Sequence, residues 1–201
     1  MGRKRNRERG AVRYFVVPAV CLCMLVAPYL PLLQPAVASE QDSAASQKAF
    51  ADAAQVFFHP RCLNCHPAGD APLIKDDPQP HPFGVKRGTD GKGVAPLGCT
   101  LCHRDENQPG GPPGVPGWHM PPEHMPMVIQ GRTPGELCRQ LKDPQHNGGR
   151  TGEQVIGHID KDPLVLWGWN PGQGRTVPKM GHEEFVTKMQ EWVKKGCVCP
   201  D

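Results

Sequence analysis

The sequence predicts a mainly α chain with extensive loops, in which a few short helices are joined by long irregular connections. Three observations lead there. Glycine and proline together number 47 of 201 residues, 23 and 24 respectively, and such a density of breakers leaves room only for short elements. Helix-start signatures recur in the C-terminal third. No stretch shows the apolar–polar alternation of a half-buried strand. Aromatic residues make up only 6 % of the chain, so its side chains bury little apolar area for a chain this long.

Taken in order, residues 43–58 form the first expected helix, because Ala45, Ala49, Phe50, Ala53, Phe57 and Phe58 fall at helical spacing. Residues 67–98 read as loop, punctuated by six prolines and six glycines. Residues 104–117 are a loop on composition alone. Residues 118–127, Trp-His-Met-Pro-Pro-Glu-His-Met-Pro-Met, form a proline-broken segment crowded with nitrogen and sulfur donors. Thr133-Pro134-Gly135-Glu136 is a capping box with proline at the first helical position, which predicts a helix to about residue 142. Thr151-Gly152-Glu153-Gln154 opens another, ended by Asp162-Pro163, with Val155, Ile156 and Ile159 on its apolar face. The last helix spans about 182–195. Phe185, Met189 and Trp192 form its stripe, and Gly196 is its stop.

The N-terminus reads as an export signal. Residues 1–13 hold six Lys or Arg against the single Glu8, and residues 14–33 carry no charge. Ala36-Val37-Ala38 gives a small-x-small cleavage pattern before polar Ser39-Glu40. Removal of residues 1–38 leaves 163 residues as one domain, 39–201. The alternative is an uncleaved N-terminal membrane anchor, which Pro18, Pro28 and Pro31 argue against. The whole chain carries +3, and the leader accounts for six positive charges and one negative, so the remainder nets −2. The basicity therefore belongs to the leader and is no evidence for nucleic acid as a partner or for stable membrane insertion after cleavage, and neither is expected.

Two strings carry the chemistry: Cys62-Leu63-Asn64-Cys65-His66 and Cys99-Thr100-Leu101-Cys102-His103. On a helical turn, residues i and i+3 share a face and i+4 lies beside them. Two thiols so placed form thioethers with the two vinyl groups of one porphyrin, and the next imidazole reaches the iron as proximal ligand. The expectation is thus two covalent haem c groups, held by Cys62, Cys65, His66 and by Cys99, Cys102, His103. Two rigid apolar plates would also supply the core that the side chains lack. A four-cysteine zinc site is the rival, but both pairs are followed directly by His, and the spacing between them exceeds that of a zinc ribbon.

The sixth iron position decides between carrier and catalyst. His81, between Pro80 and Pro82, and His119 follow their motifs at similar offsets of about 15 residues. His59 is a third candidate distal ligand and Met120 a fourth. His124, His146 and His182 read as surface residues. Cys138, Cys197 and Cys199 remain for an oxidising compartment. A bridge from Cys138 to the C-terminal pair is expected, with Cys199 preferred for reach.

The chain resembles periplasmic dihaem cytochromes c. More narrowly, residues 58–67 (Phe-His-Pro-Arg-Cys-Leu-Asn-Cys-His-Pro), together with Leu141-Lys142-Asp143-Pro144 and Asn147-Gly148-Gly149-Arg150-Thr151, look like small bacterial proteins labelled isoquinoline 1-oxidoreductase subunit. That resemblance implies a cytochrome exchanging electrons with a molybdenum hydroxylase. The expected function is periplasmic electron transfer to redox partner proteins, rather than catalysis. A haem enzyme or gas sensor with one open iron is the alternative.

Overall fold

Ser39 begins the ordered description. The computed structural model describes residues 39–201, and the expected leader, residues 1–38, lies outside the described residues. The Ser39 hydroxyl accepts the Asp42 N–H at 3.1 Å and so starts α1 (Glu40–Phe57), with Glu40 and Asp42 in its electropositive first turn. The helix therefore opens three residues earlier than its apolar spacing indicates, because a cap rather than a hydrophobic residue sets the boundary. Its buried face carries Ala49, Phe50, Ala53, Ala54 and Val56. Small residues there admit α6 (His182–Lys194) at close range. Phe50 meets Trp192 at 5.1 Å between ring centres, and Phe57 meets Phe185 edge-on at 5.1 Å.

Three further elements complete this core. α3 (Pro134–Lys142) and α4 (Gly152–Lys161) both begin with the expected capping boxes, closed reciprocally by Thr133 with Glu136 and by Thr151 with Gln154. Leu137, Cys138 and Leu141 from α3 and Val155 and Ile159 from α4 are buried against α1 and α6. The C-terminal tail is tied down twice. Ser46 donates to the Trp192 carbonyl at 3.0 Å and accepts the Val198 N–H at 3.0 Å. Cys138 is bonded to Cys199, with Cα atoms 5.5 Å apart, and Cys197 stays a free thiol. Gly135 lies directly under the Pro200 carbonyl, so that a Cβ there would collide with backbone.

Between α1 and α3 the chain is mostly irregular, but it is not the strandless loop that the composition suggests. After the single turn α2 (Pro60–Leu63) come two small antiparallel hairpins. β1 (Leu73–Ile74) pairs with β2 (Gln79–Pro80), and β3 (Gly93–Val94) with β4 (Leu97–Gly98). Two-residue strands have no room for alternation, so no periodic signal exists to find. α5 (Pro163–Leu166) is a second unexpected element. Asp162 ends α4 and also caps α5, accepting the Leu164 N–H at 2.9 Å, and four residues leave no periodicity. His182 also departs from its expected surface role. Its Nε2 lies 2.9 Å from the Ile159 carbonyl, and its ring meets Trp169 edge-on at 4.8 Å. His124 and His146 are exposed as expected.

The disulfide spans 61 residues of sequence, and closing a loop of that length stabilises the fold by about 4 kcal/mol in the chain-entropy model. Cys138→Ser is therefore expected to lower urea stability by about 2–4 kcal/mol. Cys197→Ser, measured alongside, should leave the midpoint near that of the wild type.

Candidate cofactor site

The first motif begins where α1 ends. The His59 ring caps α2 by accepting the Arg61 N–H at 3.2 Å, and Pro60 occupies the first helical position. The turn carries on through the motif, with the His66 N–H reaching the Cys62 carbonyl at 3.1 Å. Cys62, Cys65 and His66 thereby share one wall of a cleft of about 240 Å³. Phe57, Phe185 and Trp169 form its floor, and Met120, Met125 and Met127 come from the proline-broken segment.

Burial governs the electrostatics of this wall. The Cys62 thiol is pushed up to about 12 and Cys65 to about 11, chiefly by desolvation of the thiolate. His66 is driven down to about 4 by burial, against the opposing pull of a hydrogen bond. That bond runs from Nδ1 to the Met127 carbonyl at 2.8 Å. A carbonyl only accepts, so the proton sits on Nδ1 and the Nε2 lone pair is free.

The second motif repeats the device on a different turn. Residues 99–101 form a 3-10 turn, and the His103 N–H closes on the Cys99 carbonyl at 3.0 Å. His103 Nδ1 donates to the Pro113 carbonyl at 2.7 Å, again leaving Nε2 free. Its ring stacks on Trp118 at 4.4 Å and 4° between planes, and Trp118 meets Trp167 edge-on at 5.0 Å. Trp167 is held in turn by a 2.9 Å bond from its indole N–H to Asn107. Cys99 is buried and Cys102 exposed. Apolar Leu101 and Phe83 stand 57 % and 84 % exposed on this side of the molecule. The two motifs are neighbours, since Cys99 is close enough for its charge to raise the Cys65 thiol further.

The distal candidates separate clearly. His81 lies 6.1 Å from His103 between ring centres, with Nδ1 donating to the Pro82 carbonyl at 2.9 Å. His119 lines the first cleft and donates from Nδ1 to the Gly117 carbonyl at 2.6 Å. Met120 is buried and lines the same cleft. His59 is engaged at both nitrogens: Nδ1 accepts from Arg61, and Nε2 is directed to the Thr176 hydroxyl at 3.4 Å. Sequence reasoning missed His158, which lines the cleft from the last turn of α4. Its available signal was the i,i+4 spacing to Asp162.

These residues fit a covalent haem at each motif. Paired thiols adjoin an imidazole with a free Nε2 and a fixed tautomer, the orientation that metal-bound histidines require. The first cleft is walled by apolar side chains. The buried Arg61 at its edge has an Nε with no hydrogen-bond partner among the described residues, beside which a carboxylate would sit. At the second motif, two imidazoles gripping one metal ion through bonds of about 2 Å hold their centres roughly 6 Å apart, as His81 and His103 do. No family model, curated protein or solved structure matches the chain.

The His66 shift has a measurable consequence in haem-free protein. The folded state resists protonating His66 until about pH 4, whereas the unfolded chain protonates near 6.5. Acid therefore favours unfolding, and the contribution of neutral His66 is lost as pH falls from about 6.5 toward 4. Urea midpoints should decline across that window. In His66→Phe the decline should be shallower, and an unchanged slope would count against the burial of this ring.

Proposed function

We propose that the chain is a periplasmic electron-transfer protein carrying two covalently attached c-type haems. The observation that carries this reading is shared by both motifs. In each, a backbone carbonyl outside the motif, 61 residues on for His66 and 10 for His103, fixes the Nδ1 proton of the motif histidine, which leaves Nε2 free beside two thiols. A four-cysteine zinc site or a redox dithiol leaves the residue after the second cysteine without a ligand role, and so needs no such tautomer control on it.

A haem bound at each site supplies one-electron exchange between ferric and ferrous iron. The protein's part is to bind, orient and exclude. Cys62 with Cys65 and Cys99 with Cys102 anchor, and His66 and His103 ligate. Arg150 brings positive charge to the first cleft, and Arg61, ion-paired with Asp76, keeps only its Nε available there; propionates would lie beside them. The apolar walls keep water from the first iron and restrict reorganisation on electron exchange. His81, its ring 6.1 Å from that of His103 and its Nδ1 held by the Pro82 carbonyl, would be the second ligand at the second site, which favours a saturated carrier over an enzyme or gas sensor with an open iron.

The compartment follows from chemistry. The Cys138–Cys199 bridge suits an oxidising environment, in keeping with an export leader over residues 1–38. Partners are redox proteins, and on the resemblance of residues 58–67 and 141–151 a molybdenum hydroxylase is the class to try first.

Mass spectrometry of the exported protein should give the chain plus two haems, and Cys65→Ser or Cys102→Ser should each weaken attachment of one. A zinc adduct, or no covalent adduct, would sink the reading. His81→Ala should turn one of two low-spin haems high-spin and open it to carbon monoxide in the reduced state. Rapid carbon monoxide binding by the wild type would point to a sensor or enzyme instead.

A further inference from the structure

Five further histidine and methionine side chains line the first cleft with His66: His119, Met120, Met125, Met127 and His158. Resting on the dihaem reading, we propose that His158 is the second axial ligand of the haem at Cys62–Cys65–His66, with Asp162 as the group that orients it.

The position of His158 on the chain argues for it first. It stands in the last turn of α4, between buried Val155 and Ile159 on a helix whose start is fixed by a closed capping box. A ligand on a helix locked into the core holds its place better than one on an irregular segment. His119, by contrast, sits two residues after Gly117 in the proline-broken run, held only by a local bond to that glycine.

The second argument is the partner. His158 Nδ1 lies 3.2 Å from an Asp162 carboxylate oxygen. The other Asp162 oxygen accepts the Leu164 N–H at 2.9 Å as the cap of α5. The carboxylate is thus itself immobilised, fixes the Nδ1 proton of His158, and leaves its Nε2 lone pair free. A carboxylate behind a ligating imidazole also raises its basicity.

The methionines are placed less well. Met127 presents its carbonyl to His66 Nδ1, on the side of the ring away from the free nitrogen, and its sulfur faces the Gln140 amide at 3.7 Å. Met125 packs its thioether against Gly148. Met120 is bound through its backbone N–H to the Gly91 carbonyl, at the hairpin that precedes the second motif.

The test is made on exported full-length protein, with the pyridine haemochrome assay first establishing the haem count. Fewer than two haems in the wild type would overturn the dihaem reading itself. With two present, His158→Ala is expected to keep both, to turn one high-spin, and to bind carbon monoxide at that haem when reduced. Added imidazole should restore the low-spin spectrum, a rescue that a merely structural loss would not show. His119→Ala should leave the wild-type spectrum. Asp162→Asn should keep both haems low-spin and raise one midpoint potential, because the ligand loses basicity. If His158→Ala does not accumulate, His158→Met should add the weak methionine–iron band and raise one potential. Two unchanged low-spin haems in His158→Ala or His158→Met, or a high-spin haem in His119→Ala alone, would overturn the assignment.

Discussion

The hydrogen bond from His66 Nδ1 to the Met127 carbonyl is the constraint around which the loop half of the molecule is arranged. It joins residues 61 positions apart, and it is reinforced where the chain continues. The Ile129 and Gln130 N–H groups both reach the His66 carbonyl, at 3.0 and 3.2 Å, and the Gln130 side chain accepts the Ala68 N–H at 3.0 Å. This stitch lays residues 118–130 across the end of α1 and α2. It creates the cleft, supplies the methionines to it and sets the tautomer of the motif imidazole. One bond therefore serves fold and chemistry together.

The rest of the loop half is held by polar bonds rather than by apolar packing. Arg87, only 2 % exposed, has no carboxylate partner at hydrogen-bond distance among the described residues. Its guanidinium donates to the carbonyls of Gly69, Pro121 and Pro126, at 3.0, 2.9 and 3.4 Å. A planar fork with five donors can gather three strands of irregular backbone at one point. Gly91 performs a second closure. At φ +81° it lets the Met120 backbone approach where any Cβ would collide, and so the hairpin before the second motif is bound to the segment lining the first cleft. The Trp118–Trp167 contact and the Asn107 bond extend the same frame to His103.

Against this polar frame stands a conventional helical core. The α1–α6 contact is mostly aromatic, and its closeness depends on Ala49, Ala53 and Ala54. The disulfide and the Ser46 hydroxyl fasten the tail over it. That core ends at Phe57 and Phe185, which are also the floor of the first cleft. The cleft thus opens from rigid helices on one side and from tethered loop on the other. A plate-shaped group inserted there meets a wall already in place.

The sequence by itself determined the four longer helices and the motifs. Capping boxes at Thr133 and Thr151 and the stripe of Phe185, Met189 and Trp192 are local patterns, encoded within one or two turns. So is C-x-x-C-H, whose chemistry needs only neighbouring residues. Local signals also suggested Cys138–Cys199, because reach along a short tail limits the choices. The tertiary structure alone decided which imidazole faces which site. His81 comes to 6.1 Å from His103 through the folding of a loop, and His59 is occupied on both nitrogens by a cap and a threonine 117 residues away. His158 is 92 residues from His66 in the chain and reaches the cleft only because α4 packs against α6. These imidazoles are brought together by long-range contacts, and no periodicity, composition or spacing records a contact across such distances.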